Sequence, residues 1–211
     1  LRWQHEQLGL LLPGQFLDIG EDGGLIEQVD WLMYARVISD MASHALPGYV
    51  AINVSPRHFR AADFSSRLLG LVEGAGLAPD RLRVEITEVA LLDDAPRTRE
   101  CLDLLRRHGI LAQLDDFGTG FSALSYLHRF PIASLKIDRS FVSGLEGNVR
   151  NESIAVIRAI IALAGSLNIE LIAEGVETEA QQQTLIELGC THAQGFLFGR
   201  PAPLALVETS G

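Results

Sequence analysis

Six short β-rich runs recur along this chain, separated by longer stretches of helical periodicity, and each run carries a polar residue near one end. The runs are "YVAINVS" at 49–55, "LRVEIT" at 82–87, "ILAQLDD" at 110–116, "SLKID" at 134–138, "ELIAEG" at 170–175 and "AQGFLF" at 193–198. Between them lie helical patterns. "DDAPRTRECLDLLRRHG" has Asp93 or Asp94 as a candidate N-cap, an apolar Cys101-Leu104-Leu105 stripe and Gly109 to stop it. "ESIAVIRAIIALAGSLN" predicts Ile154, Ile157, Ile161 and Ala164 on one face. Such alternation points to an α/β fold with a parallel sheet, either a (βα) barrel or a doubly wound open sheet.

The polar positions narrow the choice. Side chains alternate across a strand, so in "LRVEIT" Leu82, Val84 and Ile86 share one face while Arg83, Glu85 and Thr87 share the other. The same parity groups Asn53 with Ser55, Gln113 with Asp115, Lys136 with Asp138 and Glu170 with Glu174, while Gln194 stands near the start of its run. Asn53, Glu85, Asp115, Lys136, Glu174 and Gln194 follow one another at about 20 to 40 residues, near the roughly 30 of one βα unit. Six strands thus deliver one polar group each to a common mouth. In a barrel, the C-terminal ends of the strands form the active face.

Asp115 is the last in-register residue of its strand and Asp116 begins the turn, which Gly118 and Gly120 permit. Taken alone, the two aspartates read as caps of a helix starting near Phe121. Beside Glu85 and Glu174 they complete four converging carboxylates, which would repel one another and raise one another's pKa unless cations compensate. An all-oxygen site suits Mg²⁺ or Mn²⁺ rather than zinc, and a shared carboxylate is a usual bridge in a two-metal centre.

The whole chain bounds what such a site can serve. Its 211 residues, 47% hydrophobic, suffice for one core and one domain. The net charge of −10 and the lack of a basic stripe argue against long nucleic acid, but not against a small anion brought in with metal ions. Cys101 and Cys190 are far apart, with no CxxC, so two packed thiols in a reducing, cytoplasmic setting are expected. The most apolar helix is interrupted by Arg158 and is shorter than the roughly 20 apolar residues that span a bilayer.

The assembled motifs resemble the EAL-domain family of cyclic di-GMP phosphodiesterases over essentially the entire chain. They are "NVS" at 53–55, "EITE" at 85–88, "DDFGTG" at 115–120, "LKIDRSFV" at 135–142, "AEGVET" at 173–178 and "QGFLFGRP" at 194–201, in the family's order and spacing. The resemblance implies a modified (βα)₈ TIM-like barrel, two Mg²⁺ or Mn²⁺ ions, and hydrolysis of cyclic di-GMP to linear pGpG. It makes Asn53, Glu85 and Asp115 ligands of the first metal. Asp115 and Asp116 reach the second, which Glu174 completes directly or through water. Lys136 is similar to the family lysine that contacts the attacking water, Glu88 to the acid that anchors the "DFGTG" loop, and Glu177 to a supporting acid that is not a ligand. Gln194 resembles a guanine contact and Arg2 the arginine that meets a substrate phosphate. The resemblance also implies a homodimer formed near the "DDFGTG" loop and the helix after Asp138, with sensory or GGDEF domains upstream.

Departures from the pattern are few. His58 stands where a Gln is common, and Phe121-Ser122-Ala123 replaces a usual Tyr-Ser-Ser. There is no HD pair, HExxH or GGDEF signature. A non-catalytic cyclic di-GMP receptor is the rival that ligand completeness disfavours, since every ligand position covered holds a suitable residue. A barrel lyase or aldolase with a Schiff-base Lys136 is disfavoured because neighbouring acids hold a lysine charged.

The family's naming motif reads Glu-Ala-Leu-x-Arg, and Leu1 stands at its x, so its glutamate is absent from the 211 residues. A closed barrel needs eight strands. Six are counted here with a strand-end stub at Leu1 to Trp3, so strand material is missing at the N-terminus. The expectation is that Glu-Ala-Leu directly precedes Leu1 in the native protein. Residues 1–211 expressed alone are then expected to be poorly soluble and inactive, through an open barrel edge and a missing ligand. The upstream gene sequence and cyclic di-GMP hydrolysis by the fragment check this.

Overall fold

The sheet is built by β3 (Val50–Asn53), β4 (Leu82–Thr87), β5 (Leu111–Phe117), β6 (Ile132–Ile137), β7 (Glu170–Ala173) and β8 (His192–Ala193). They lie side by side in chain order, and every neighbouring pair is parallel. The computed structural model describes residues 2–17, 25–44, 46–93, 95–118, 127–202 and 204. Helices carry the chain back between strands. Among the described residues these are α1 (Ile26–Ser43) before β3, α2 (Pro56–Arg60) and α3 (Phe64–Gly74) before β4, α4 (Glu88–Asp93) and α5 (Ala95–Arg107) before β5. Next come α6 (Arg139–Ser143) and α7 (Arg150–Leu167) before β7, then α8 (Glu179–Leu188) before β8. This is the curled sheet of a modified α/β barrel.

Strand parity is realised most cleanly in β4, where Leu82, Val84 and Ile86 are buried while Arg83, Glu85 and Thr87 are partly exposed. The apolar face packs under the helices, with Leu102 and Leu105 of α5 and Ile157, Ile160 and Ala164 of α7 in the same core. The buried stripe of α5 is Thr98-Leu102-Leu105, one step round from the expected Cys101-Leu104-Leu105, because the Thr98 hydroxyl donates to the Ala90 carbonyl at 3.2 Å and turns that face inward. In α7 the buried set is Ser153, Ile157, Ile160 and Ala164, with Ile154 and Ile161 at its margin. Gly109 (φ 93) ends α5 as expected, in the left-handed conformation that closes many helices. Asp94, Thr119-Gly120 and the helix start near Phe121 lie outside the described residues, as does Leu1.

The opposite face of the strands carries a polar layer. Arg83 Nη1 donates to Glu170 Oε2 at 2.8 Å, and its guanidinium lies 3.6 Å over the Tyr49 ring. Gln113 Nε2 donates to Ser134 Oγ at 2.7 Å and to the Tyr49 hydroxyl at 3.3 Å. Arg83 and Glu170 belong to β4 and β7, three strand spacings apart. In a flat sheet that is about 14 Å, at the usual strand separation. Their contact makes this face the concave one.

Two expectations need correction. Trp3, expected within the end of a sheet strand, instead opens β1 (Trp3–His5), which pairs antiparallel with β2 (Gly9–Leu11) in a separate hairpin. His5 Nδ1 accepts from the Gln7 and Leu8 amides at 3.1 and 3.2 Å, and Trp3 meets Phe16 edge-on at 5.6 Å, which turns the segment back on itself. Of the run "AQGFLF" at 193–198 only Ala193 is strand, forming β8 with His192 before it. At Gly195 the chain passes so close to the Val176 backbone that a Cβ would lie 2.2 Å from its carbonyl oxygen, and the Leu197 amide donates to that oxygen at 3.0 Å. The strand is drawn into a turn there.

Arg83→Met tests the polar layer. It keeps the stem's apolar contacts but leaves Glu170 without its guanidinium, and a broken partly buried pair of this kind costs about 1–3 kcal/mol. Urea unfolding of wild type and variant measures the loss. Equal midpoints would mean that the pair contributes nothing.

Candidate active site

Two residues further along β4, β5 and β6, the same faces carry Glu85, Asp115 and Lys136. Lys136 Nζ lies 2.8 Å from Glu85 Oε1, 3.3 Å from Asp115 Oδ1 and 2.5 Å from Glu174 Oε1. Only 4% of its side chain is exposed, so the ammonium is held by those three carboxylates rather than by water. Burial alone would lower its pKa, but the hydrogen bonds and charges of Glu174 and Glu85 outweigh that and hold it above the ordinary lysine value. Burial pushes Glu174 up to about 7, with Asp115 and Glu85 adding to the rise and Lys136 opposing it.

The turn after β5 brings Asp116 to the same place. Asp116 has φ 53, the left-handed region that Asp tolerates better than most residues. Its carboxylate thereby stays beside that of Asp115, and Asp115, Asp116 and Glu174 each offer an oxygen within 4.8 Å of the others. Gly118 (φ 99) completes the turn, because a Cβ there would come within 2.9 Å of the Phe141 ring. Glu88, buried at the start of α4, accepts from the Gly118 amide at 3.0 Å. Its carboxylate therefore touches the loop rather than the carboxylate cluster.

The other expected residues fall into three groups. Asn53 ends β3 directly opposite Glu85 and is exposed at the mouth. Gln194 Nε2 donates to Glu174 Oε1 at 2.5 Å, and Glu177 shares a cleft with Glu174. Arg2 is exposed just before β1 and does not line that cleft. The cleft holds about 940 Å³ and is bounded by Arg139, Glu174, Glu177, Gln194, Phe196 and Arg200 among others. Its volume suits a small organic ligand. Arg200 lies 4.6 Å over the exposed Phe196 ring, presenting a cation and an aromatic face together.

One acid was not singled out from the sequence. Asp138, at the end of β6, accepts from the Ser140 amide at 2.9 Å and shares a hydrogen bond with Asp116. Burial and the charges of Asp115 and Asp138 raise Asp116. Burial also acts to raise Asp138, but its bonds from Ser140 outweigh this and lower it. Asp116 is the member of the pair that holds a proton longer as pH rises. The parity of Asp138 with Lys136 was the available signal.

This arrangement can bind a hard divalent cation and an anion that the cation brings with it. The EAL domain pattern matches residues 1–201. The bifunctional diguanylate cyclase/cyclic di-GMP phosphodiesterase MucR of Pseudomonas aeruginosa is 40% identical over 207 residues, covering 96% of this chain and 30% of MucR. The cyclic di-GMP phosphodiesterase NbdA of the same organism is 40% identical over 212 residues, covering 99% of this chain and 27% of NbdA. The chain thus spans less than a third of these relatives' lengths. Among solved structures, the MucR phosphodiesterase in complex with c-di-GMP superposes with a TM-score of 0.89 at 39% identity, over 97% of this chain and 83% of that one.

Lys136→Met removes the cation from the centre of Glu85, Asp115 and Glu174. Without divalent ions, the variant is expected to melt several degrees below wild type at pH 8, since a few kcal/mol lost shifts the midpoint by that much. A carboxyl whose folded pKa is raised stabilises the fold when protonated, and that contribution disappears as pH rises through about 7 for Glu174. The deficit should therefore shrink at pH 5.5. Melting curves at both pH values in chelator check the sign, and a deficit that grows on acidification would refute it.

Proposed function

Because the chain belongs to the EAL domain family, we propose that it hydrolyses cyclic di-GMP to linear pGpG with two Mg²⁺ or Mn²⁺ ions. The observation that carries this reading is the cluster of Asp115, Asp116 and Glu174 oxygens beside Glu85 and Lys136 at the strand ends. All donors are oxygens, as a hard divalent ion requires. Asn53, Glu85 and Asp115 would hold one ion, and Asp115, Asp116 and Glu174 the other. Bound there, the ions would acidify the water that attacks phosphorus and neutralise charge building on the phosphate.

The chain's own residues do the rest. Lys136 stays protonated among its carboxylates and donates toward the attacking water, fixing its oxygen for in-line approach. That oxygen forms a bond to phosphorus as the P–O3′ bond breaks. The water proton is lost to a neighbouring base or to solvent, and the departing 3′-oxygen gains one, so one water is consumed per molecule of pGpG. Glu88 holds the Gly118 amide and with it the turn that aims Asp115 and Asp116. Gln194 and Arg2 would meet a guanine base and a phosphate, with Glu177 supporting from the cleft wall. Release of Gln194 from Glu174 would accompany its contact with a base.

The domain is taken to act in the cytoplasm, in a homodimer and behind sensory or GGDEF domains. Among the described residues no helix is long and apolar enough to cross a membrane. The relatives' greater length supports the further domains.

Incubation of the full-length protein with cyclic di-GMP and Mg²⁺ or Mn²⁺, with and without chelator, tests the reading by product identification. Asp115→Asn is expected to lower turnover on the order of 10²-fold or more while nucleotide binding survives better, since one charge is lost where both ions meet. Wild-type turnover in this variant would overturn the metal assignment. Metal-insensitive nucleotide binding with no product would instead identify a receptor.

A further inference from the structure

The peptide plane that joins Asn53 to Val54 is held at both ends. On one side the Val54 amide donates to the Glu85 carbonyl at 2.8 Å, extending the ladder between β3 and β4. On the other, the Asn53 carbonyl accepts from the Tyr34 hydroxyl at 3.0 Å. That second bond comes from outside the sheet, from the middle of α1. Tyr34 is itself 2% exposed and caged by aromatic rings, with Trp31 at 5.4 Å, His58 at 5.6 Å and Phe64 at 6.5 Å. His58 is in turn fixed, its Nε2 lying 2.9 Å from Asp30 Oδ2, one turn before Tyr34 on α1.

We propose that Tyr34 is a positioning residue that sets the distance and angle between Asn53 and Glu85 by clamping the Asn53–Val54 peptide plane. The inference rests on the assignment of Asn53 and Glu85 to one metal. The Val54 amide ties one edge of that plane to β4, and the Tyr34 hydroxyl holds the carbonyl edge, which lies at the end of its strand with no further ladder position beyond it. Loss of the Tyr34 bond would let the end of β3 shift relative to α1 and carry the Asn53 side chain with it, while Glu85, two residues inside the end of β4, stays put. A tyrosine hydroxyl on a rigid helix stops this with one bond. Tyrosine has few rotatable bonds, and the cage leaves the ring a single setting, so little order is lost on making the contact. Displacement of a ligating group by a fraction of an ångström weakens a site built for a small, geometrically demanding ion more than it weakens the fold. His58 and Asp30 act one step further back, by holding the ring that holds the plane.

The test uses the full-length protein carrying Tyr34→Phe, which deletes the hydroxyl and keeps the ring, with Asn53→Ala for comparison. Mn²⁺ affinity is measured calorimetrically without nucleotide, alongside kcat and KM for cyclic di-GMP and the melting temperature in chelator. Tyr34→Phe is expected to weaken Mn²⁺ binding about tenfold and to lower kcat comparably, with KM little changed and the melting temperature lowered by no more than a few degrees, the scale of one lost buried hydrogen bond. Unchanged Mn²⁺ affinity in Tyr34→Phe, while Asn53→Ala loses it, would overturn the positioning role and leave the proposed function standing. Unchanged Mn²⁺ affinity in Asn53→Ala would overturn both the positioning role and the assignment of Asn53. Weakened Mn²⁺ binding accompanied by an equal weakening of nucleotide binding and a large fall in melting temperature would make Tyr34 a general stabiliser and also overturn the proposal. The Mn²⁺ measurement decides the matter even if cyclic di-GMP is not turned over.

Discussion

A buried ammonium among three carboxylates is the constraint around which this barrel is arranged. Lys136 reaches Glu85 from β4, Asp115 from β5 and Glu174 from just beyond β7, so a single cation ties together the ends of four neighbouring strands. Neither side of that balance is tolerable alone. Lys136 buried without acids would lose its proton, and the acids without a cation would repel one another. The concave face therefore has to stay curled at a radius that keeps them in contact. The Arg83–Glu170 pair beneath enforces the same radius from the other end of the strands.

The cation count at the mouth explains why the loop after β5 needs so much local engineering. Asp116 adds a further carboxylate to a cluster whose three acids Lys136 only partly offsets, and it does so from a backbone conformation that only a few residue types accept readily. Three contacts hold it there: the Gly118 amide on Glu88, the close packing of Gly118 against Phe141, and the hydrogen bond with Asp138. Each comes from a different element, α4, α6 and the end of β6. The turn is thus set by tertiary contacts, and the proposed second metal position, which would depend on it, would inherit their geometry.

Much of this was legible in the sequence because strand periodicity is local. The alternation in "LRVEIT" identifies both faces of β4, and the spacing of Asn53, Glu85, Asp115, Lys136 and Glu174 places them at one mouth. What escaped was non-local. The Arg83–Glu170 contact joins strands three spacings apart and exists only because the sheet curls. Tyr34 reads as one more apolar position of an amphipathic helix, and nothing around it announces a bond to residue 53. Trp3 reads as the end of a sheet strand because its β-propensity carries no information about its partner. Gly9 and the side chain of His5 decided for a hairpin. At "AQGFLF" the β-propensity was real, but the approach of Gly195 to Val176 overrode it.

Electrostatics also constrains how a ligand can arrive. Glu85, Asp115, Asp116, Asp138 and Glu174 surround one ammonium in a chain of net charge −10, so the mouth repels an anion such as a dinucleotide phosphate. Arg139 and Arg200 attract one, but they stand on the cleft wall, to the side of the carboxylates. An anionic ligand would therefore settle against the wall and be held off the strand ends while the cluster keeps its excess negative charge. Under the proposed function, divalent cations bound by the carboxylates would reverse the sign of the field at the strand ends. The same acids that repel an anion from the metal-free site would then make its binding there conditional on the ions. An anion held on the wall and one engaged at the strand ends would be two distinguishable states of one cleft.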